Sequence, residues 1–440
     1  MSIMSKVLRL AGALIILGVI VILAIMFVPT QRTPVQAQIA SDDVVVASSG
    51  EYVSRLGDCM ACHTVEGGKP FAGGYSIDSP LGAIYSSNIT PDPEYGIGNW
   101  TLDDFRAALY DGIGKGGHRL YPAMPSANYR KLSEADIASL YDYLMNEVEP
   151  VAEKAPETEL PFPFNQRWGL RLWDWIAYKD AGFEPRYNDP VLDRGAYLVE
   201  GPGHCGACHS PRTALFVQSG YTAEDSKFLT GGVIGGWYAQ PLRGSNSVSA
   251  YWDEAQMVSF LKTGRNAHSG VAGEMTAVVS HSLQYFTDED LTAIAKYLRH
   301  ISADTESSPR VLNVEAEKST AAMLLAASPD MELGARLYLD NCNACHFSTG
   351  RGADSVFPEL VGNSMVLADE QGGFLDVILN GAEMPSTATR PSRLRMPGFR
   401  ERLSDDEVAA LASFVRQAWG NNAGPVTAKT VAEVRETTSK

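Results

Sequence analysis

The sequence predicts an all-α protein: three small helical units in tandem, following an apolar N-terminal helix. Three observations carry this expectation. The pentapeptide Cys-x-x-Cys-His occurs at Cys59 to His63, at Cys205 to His209 and at Cys342 to His346, and uses all six cysteines of the 440 residues. Each copy is followed by a capped amphipathic helix: Ser133 with acids before 137–144, Thr287 with acids before 291–298, and Ser404 with acids before 408–415. A Ser or Thr N-cap, acids in the first turn and an i, i+3, i+4 apolar face are helix-start signals. An uncharged apolar run at 10–28 precedes all three.

The repeat places the units at 50–150, 191–303 and 329–420, with a leader at 1–30, an aromatic-rich linker at 151–190 and a tail at 421–440. Each unit has about the size of a small domain with one core. Lys6 and Arg9 stand before the apolar run, and Pro29, Gln31 and Arg32 close it. The run exceeds the roughly 7–15 residues of a cleaved signal core and approaches the roughly 20 of a membrane span. It is read as an export signal retained as an anchor, with Val35-Gln36-Ala37 as a cleavage site in the alternative. Either form leaves the units outside the cytoplasmic membrane and the basic head inside. The polar stretch 31–49 reads as a tether.

Each unit opens with a short helix running into its motif, at 51–58, 194–200 and 333–340; the second and third begin Gly195-Ala196 and Gly334-Ala335. Two thiols at i and i+3 with a histidine at i+4 form a covalent c-type haem attachment site. The thiols bond one porphyrin edge, and the imidazole is held beneath the iron as an axial ligand. A zinc site would need a fourth ligand for each motif. The motifs are more than 130 residues apart, so paired knuckles are excluded. Three c-type haems, on Cys59 and Cys62, Cys205 and Cys208, and Cys342 and Cys345, follow, with His63, His209 and His346 as iron ligands.

Middle helices are expected at 100–110, 252–261 and 374–379. The loop between middle and end helix should carry the sixth ligand. In unit one it holds Met124 between Pro122 and Pro125, eight residues before Leu132, with His118 as the alternative. Unit two offers Met275, with His268 and His281 as competitors. Unit three has Met384 and Met396; Met396 lies seven residues before Leu403, close to the spacing of unit one, whereas Met384 lies 19 before.

Between units one and two, Trp168, Leu172, Trp175 and Ile176 share a helical face, read as packing between those units rather than as docking to a partner or membrane. The linker 302–328 reads as a surface connection and 421–440 as a loose end. His204 and His300 have no assigned task. Arg390, Arg393, Arg395, Arg400 and Arg402 gather around the third ligand loop, and Arg212 follows the second motif; haem propionates or a solvated surface would both suit them. A net charge of −16 argues against a nucleic-acid partner and disfavours a polybasic lipid contact. No dinucleotide fingerprint or P-loop is present.

These stretches together resemble the triple-haem cytochrome c subunits of membrane-bound bacterial dehydrogenases, over about 50–420. The resemblance rests on Gly57-Asp58-Cys59, Gly67-Gly68-Lys69-Pro70-Phe71-Ala72-Gly73-Gly74 and Ser87-Asn88-Ile89-Thr90-Pro91-Asp92. It continues in Tyr121-Pro122-Ala123-Met124-Pro125, His209-Ser210-Pro211-Arg212, Leu261-Lys262-Thr263-Gly264-Arg265, Gly273-Glu274-Met275 and Met396-Pro397-Gly398-Phe399. It implies three class I cytochrome c-like domains with ligand pairs His63 and Met124, His209 and Met275, and His346 and Met396. It further implies electron transfer from a catalytic subunit (quinoprotein, flavoprotein or molybdenum enzyme) to ubiquinone, at the periplasmic face of the cytoplasmic membrane. Such subunits serve alcohol, aldehyde, gluconate, fructose or sorbitol dehydrogenases and act on no organic substrate themselves. The alternatives are a peroxidase-like or thiosulfate-oxidising haem enzyme with one open iron, and a cytochrome subunit of a terminal oxidase.

Overall fold

The computed structural model of the chain describes residues 3–27, 31–35, 48–245, 247–303 and 313–438. Gln36 and Ala37, most of the 31–49 tether and 304–312 of the 302–328 linker lie outside them. The longer helices and the motif turns are, in chain order, α1 (Ile3–Phe27), α2 (Gly50–Leu56), α3 (Cys59–His63), α4 (Leu102–Asp111), α5 (Glu134–Asn146) and α6 (Leu170–Ala177). They continue as α7 (Pro190–Glu200), α8 (Gly206–His209), α9 (Glu254–Thr263), α10 (Met275–His281) and α11 (Asp288–Ala303). The last are α12 (Val314–Ala326), α13 (Leu333–Asn341), α14 (Asn343–His346), α15 (Gly372–Asn380), α16 (Asp405–Gln417) and α17 (Ala428–Thr437). Three antiparallel hairpins interrupt this helix-rich fold: β1 (Ser76–Ile77) with β2 (Ile84–Tyr85), β3 (Gly232–Ile234) with β4 (Trp237–Ala239), and β5 (Gly381–Glu383) with β6 (Arg395–Pro397).

Packing groups the chain into two units: Met1–Ile39 with Cys62–Phe183 and Ala214–Val217, and Ala40–Ala61 with Glu184–Thr213 and Gln218–Lys440. In the first, α4 is started by a reciprocal cap between Thr101 and Asp104 and ended by Gly112 at φ 58. Its Phe105 and Leu109 join Ile137, Leu140 and Leu144 of α5 among the buried side chains. Ser133 caps α5 through the Asp136 N–H, a contact worth about 1 kcal/mol. The stretch 31–35, expected as tether, is pinned: Arg32 bonds Asp103 and Asp104, and the Thr33 N–H donates to Asp111 over 2.9 Å.

Leu10, Leu14, Ile15, Ile16 and Leu17 of α1 are more than half exposed. Among the described residues, which leave out several α1 side chains, no helix is long and apolar enough to cross a membrane. The aromatic face of 168–176 is not buried as expected: Leu172, Trp175 and Ile176 are 42, 63 and 50% exposed. The opposite side of α6 turns inward instead, with Arg171, Asp174 and Ala177 buried and Asp174 paired with Arg119. A buried ion pair fixes that helix rotation, because leaving one of its charges unpaired costs about 3–5 kcal/mol.

In the second unit α7 crosses α11, and α13 crosses α16, each at the glycine of the Gly-Ala pair. A Cβ on Gly195 would stand 2.2 Å from the Ala293 carbonyl oxygen, and one on Gly334 would stand 2.3 Å from that of Ala410. Only glycine permits that backbone approach. The neighbouring Tyr197 and Tyr338 are fully buried. Glu200, also fully buried, accepts hydrogen bonds from Tyr297 at 2.6 Å and Arg186 at 2.5 Å.

Two stretches flanking the third unit hold more structure than expected. The alanine-rich half of the 302–328 linker runs at the surface but as helix α12, capped by Asn313, with Leu324 buried in the cluster that holds Tyr338, Leu411 and Trp419. The tail, expected as a loose end, carries helix α17, whose Val431 enters the same cluster while Arg435 pairs with Asp405 at 2.7 Å. Sparse apolar residues in polar company gave no periodic signal, yet each supplies a few contacts to a cluster built elsewhere.

Candidate haem-binding sites

Each motif is one tight helical turn. In α14 the Cys345 N–H and the His346 N–H both donate to the Cys342 carbonyl, at 3.1 and 2.9 Å. Residues three and four apart lie on one helix face, so both sulfurs and the imidazole present together. All six cysteines are half-buried and none forms a disulfide. Burial pushes the Cys59, Cys205 and Cys342 thiols up to about 12. Among the described residues no group of three or more His, Cys, Asp or Glu is placed to hold a metal ion by itself. A zinc site would need further protein ligands beside each cysteine pair, whereas two thiols and one histidine suit covalent haem attachment.

The histidines share a clamp that sequence reasoning missed. The His63 Nδ1 lies 2.7 Å from the Ser87 carbonyl oxygen, the His209 Nδ1 2.6 Å from that of Gln240, and the His346 Nδ1 2.9 Å from that of Pro358. A carbonyl only accepts, so Nδ1 carries the proton and Nε2 keeps its lone pair. This is the tautomer and orientation an axial ligand needs. Burial lowers the pKa of all three, and the carbonyl bond opposes it.

A second clamp repeats as well. The carbonyls of His63, His209 and His346 accept from the N–H groups of Gly73, Gly231 and Gly352, at 2.8, 2.8 and 3.2 Å. All three glycines have positive φ: 74, 95 and 57°. A Cβ on Gly73 would come within 2.4 Å of the Ser87 backbone, and one on Gly352 within 2.0 Å of the Phe357 carbonyl. These glycines follow their histidines by 10, 22 and six residues. The variable spacing hides them from a repeat search.

The methionines lie in the expected loops. Met124 is half-buried, and its carbonyl accepts from Ser126 at 2.8 Å. The alternative His118 is exposed and bonds the Lys115 carbonyl through Nδ1 at 3.0 Å. Met275 opens α10, just after Gly273, whose backbone rests on the Trp237 ring. Its competitor His268 is paired with Glu359 at 3.2 Å, and the His281 carbonyl accepts from Arg55 at 3.1 Å. Met396 pairs with Ala382 in the β5–β6 hairpin and packs on the same cluster as Cys342. Met384 reaches away: a Cβ on Gly270 would meet its Cε at 2.1 Å.

Of the arginines named from sequence, Arg393 pairs with Glu383 at 3.1 Å, Arg400 bonds Asn380 at 2.7 Å, and Arg212 bonds the Ala207 carbonyl at 2.6 Å.

Helical turns that present two thiols and an imidazole of fixed tautomer define a c-type cytochrome. Residues 329–415 match the family model described as cytochrome C oxidase, cbb3-type, subunit III. The chain is 42% identical over 401 residues to the cytochrome c subunit of a quinone alcohol dehydrogenase from Gluconobacter oxydans, covering 90% of this chain and 83% of that protein. It is 40% identical over 410 residues to a gluconate 2-dehydrogenase cytochrome c subunit from Pantoea cypripedii, covering 91 and 92%. It is 38% identical over 431 residues to a fructose dehydrogenase cytochrome subunit from Gluconobacter japonicus, covering 92 and 85%. The chain therefore belongs to the family of dehydrogenase cytochrome c subunits. Membership carries an electron-transfer role, covalently bound c-type haem and a dehydrogenase partner.

Proposed function

We propose that this chain carries three c-type haems and relays single electrons from a periplasmic dehydrogenase catalytic subunit to ubiquinone. The observation that carries the reading is the clamp common to His63, His209 and His346, whose Nδ1 atoms all face backbone carbonyls. When bound, haem supplies one-electron chemistry at iron. Each cysteine pair would hold one haem, the Nε2 of its motif histidine would be one iron ligand, and Met124, Met275 or Met396 would supply the other. With two protein ligands each, no iron would be open to an organic substrate. Met396 packs on the same core cluster as Cys342 while Met384 is directed elsewhere, which supports Met396 as that ligand. Three tandem cytochrome c-like domains follow the three motif turns.

The apolar side chains exposed along α1 support attachment at the periplasmic face of the cytoplasmic membrane. The catalytic partner carries pyrroloquinoline quinone, flavin or molybdenum and oxidises an alcohol, an aldehyde, a sugar or a sugar acid; the relatives named above serve alcohol, gluconate and fructose dehydrogenases. A terminal-oxidase subunit is the second reading, favoured by the family match over 329–415 alone.

Gentle detergent purification of the tagged chain from its membranes tests both. A co-purifying dehydrogenase that reduces the haems on addition of its substrate supports the relay. A copper-haem subunit in its place overturns it in favour of the oxidase.

A further inference from the structure

Arg265 is 4% exposed, and its Nε has no hydrogen-bond acceptor among the described residues. A guanidinium stays charged at any working pH, and a buried charge without a counter-charge costs several kcal/mol. Burial disfavours its charged form, and the like charge of Arg390 adds to that. The packing brings them there. Gly264, at φ 74, leaves room for a Cβ only 3.1 Å from Pro385, and Arg390 closes a turn with Thr387 through two 3.1 Å backbone bonds. A buried cation with a second, half-buried one in reach calls for an anion.

The same repeat holds two more buried donors without an acceptor among the described residues, Gln240 Nε2 and Trp252 Nε1. Gln240 is the residue whose backbone carbonyl receives His209 Nδ1 at 2.6 Å. Arg265 lies on the turn between α9 and Met275, bridged to Gly270. Gln240, Trp252 and Arg265 all lie in the second repeat, and a haem brings two carboxylates with four acceptor oxygens.

We propose that Arg265 and Arg390, with Gln240 and Trp252, form the seat for the propionate carboxylates of the haem bound to Cys205 and Cys208. Arg390 comes from the third repeat, so the seat ties the second haem to the neighbouring repeat's ligand loop. Charge–charge pairing keeps the propionates ionised, and the two guanidinium charges disfavour the ferric state and raise that haem's potential. The inference rests on the three-haem reading above.

The test is Arg265→Gln in the full-length holoprotein, read by intact mass and by spectroelectrochemical titration at several pH values. The seat predicts three haems retained, one midpoint potential shifted down, and a pH dependence of that potential that the parent lacks. Arg336→Gln, at an exposed position, should shift none. Three unchanged potentials with an unchanged pH profile in Arg265→Gln overturn the seat. Should that variant fail to assemble, Arg390→Gln, at a half-buried position, should show the same downward shift, and its absence is equally decisive. A parent chain without haem at Cys205 and Cys208 overturns the haem reading itself, an outcome that peptide mass analysis distinguishes from failure of the seat.

Discussion

Gly195 on α7 faces Ala293 on α11 so closely that a Cβ at position 195 would stand 2.2 Å from the Ala293 carbonyl oxygen. Gly334 and Ala410 repeat the relationship at 2.3 Å. Exchanging glycine for alanine in a helix ordinarily gains about 1 kcal/mol. Here the new methyl meets backbone, which cannot rotate aside, and overpacking costs about 1–3 kcal/mol or more. Gly195→Ala and Gly334→Ala should each lower the denaturation midpoint. A variant as stable as the parent would show that the crossings are looser than described.

The loop glycines carry a different consequence. A Cβ on Gly73 would press on the Ser87 backbone, whose carbonyl holds His63. A left-handed alanine costs a further 1–2 kcal/mol or so. Gly73→Ala should therefore lower haem attachment at Cys59 and Cys62 and leave the other two sites loaded. Peptide mass analysis reads this site by site, and full occupancy at Cys59 and Cys62 would contradict the clamp.

Much of this was visible in the sequence, for physical reasons that differ by element. The end helices α5, α11 and α16 were legible because a cap, first-turn acids and an apolar stripe all act locally. The motif turns were legible because covalent attachment demands a fixed spacing. The clamps on His63, His209 and His346 were not, since any residue can offer a carbonyl and Ser87, Gln240 and Pro358 share no chemistry. Helices α12 and α17 were missed because Leu324 and Val431 are stabilised by a core that other segments build. Arg265 lay within a quoted motif, but its burial and its like-charged neighbour appear only once the chain is folded.

Met396 and Met384 separate cleanly by mutation. Met396→Ala should leave three haems attached but lower one potential, because an iron loses its soft ligand. Met384→Ala should leave all three potentials in place and remove only packing against Gly270, at a cost of about 1–2 kcal/mol for a half-buried side chain. Reversed outcomes would exchange the two assignments.

His268 makes stability depend weakly on pH. Its hydrogen bond to Glu359 raises its pKa above the usual histidine value; Asp354 acts the same way, while burial and Arg351 oppose. Because the folded value is the higher one, the contribution is complete below about pH 6.5, the usual histidine value, and fades as pH climbs through the raised value. The side chain is 40% exposed, so solvent screening holds the effect to under about 1 kcal/mol. Denaturant titrations at pH 5.5 and 8.5 should show a smaller pH difference in His268→Gln than in the parent. An identical difference would remove this pair as its source.

The most direct measurement is the mass of the intact, denatured chain purified from its native membranes. Covalent attachment survives denaturation, so three motif turns with clamped histidines predict a chain heavier by three haems, falling to two in Cys62→Ala, Cys208→Ala or Cys345→Ala. A parent chain carrying two haems or fewer, or a cysteine variant that keeps all three, would contradict the relay at its root.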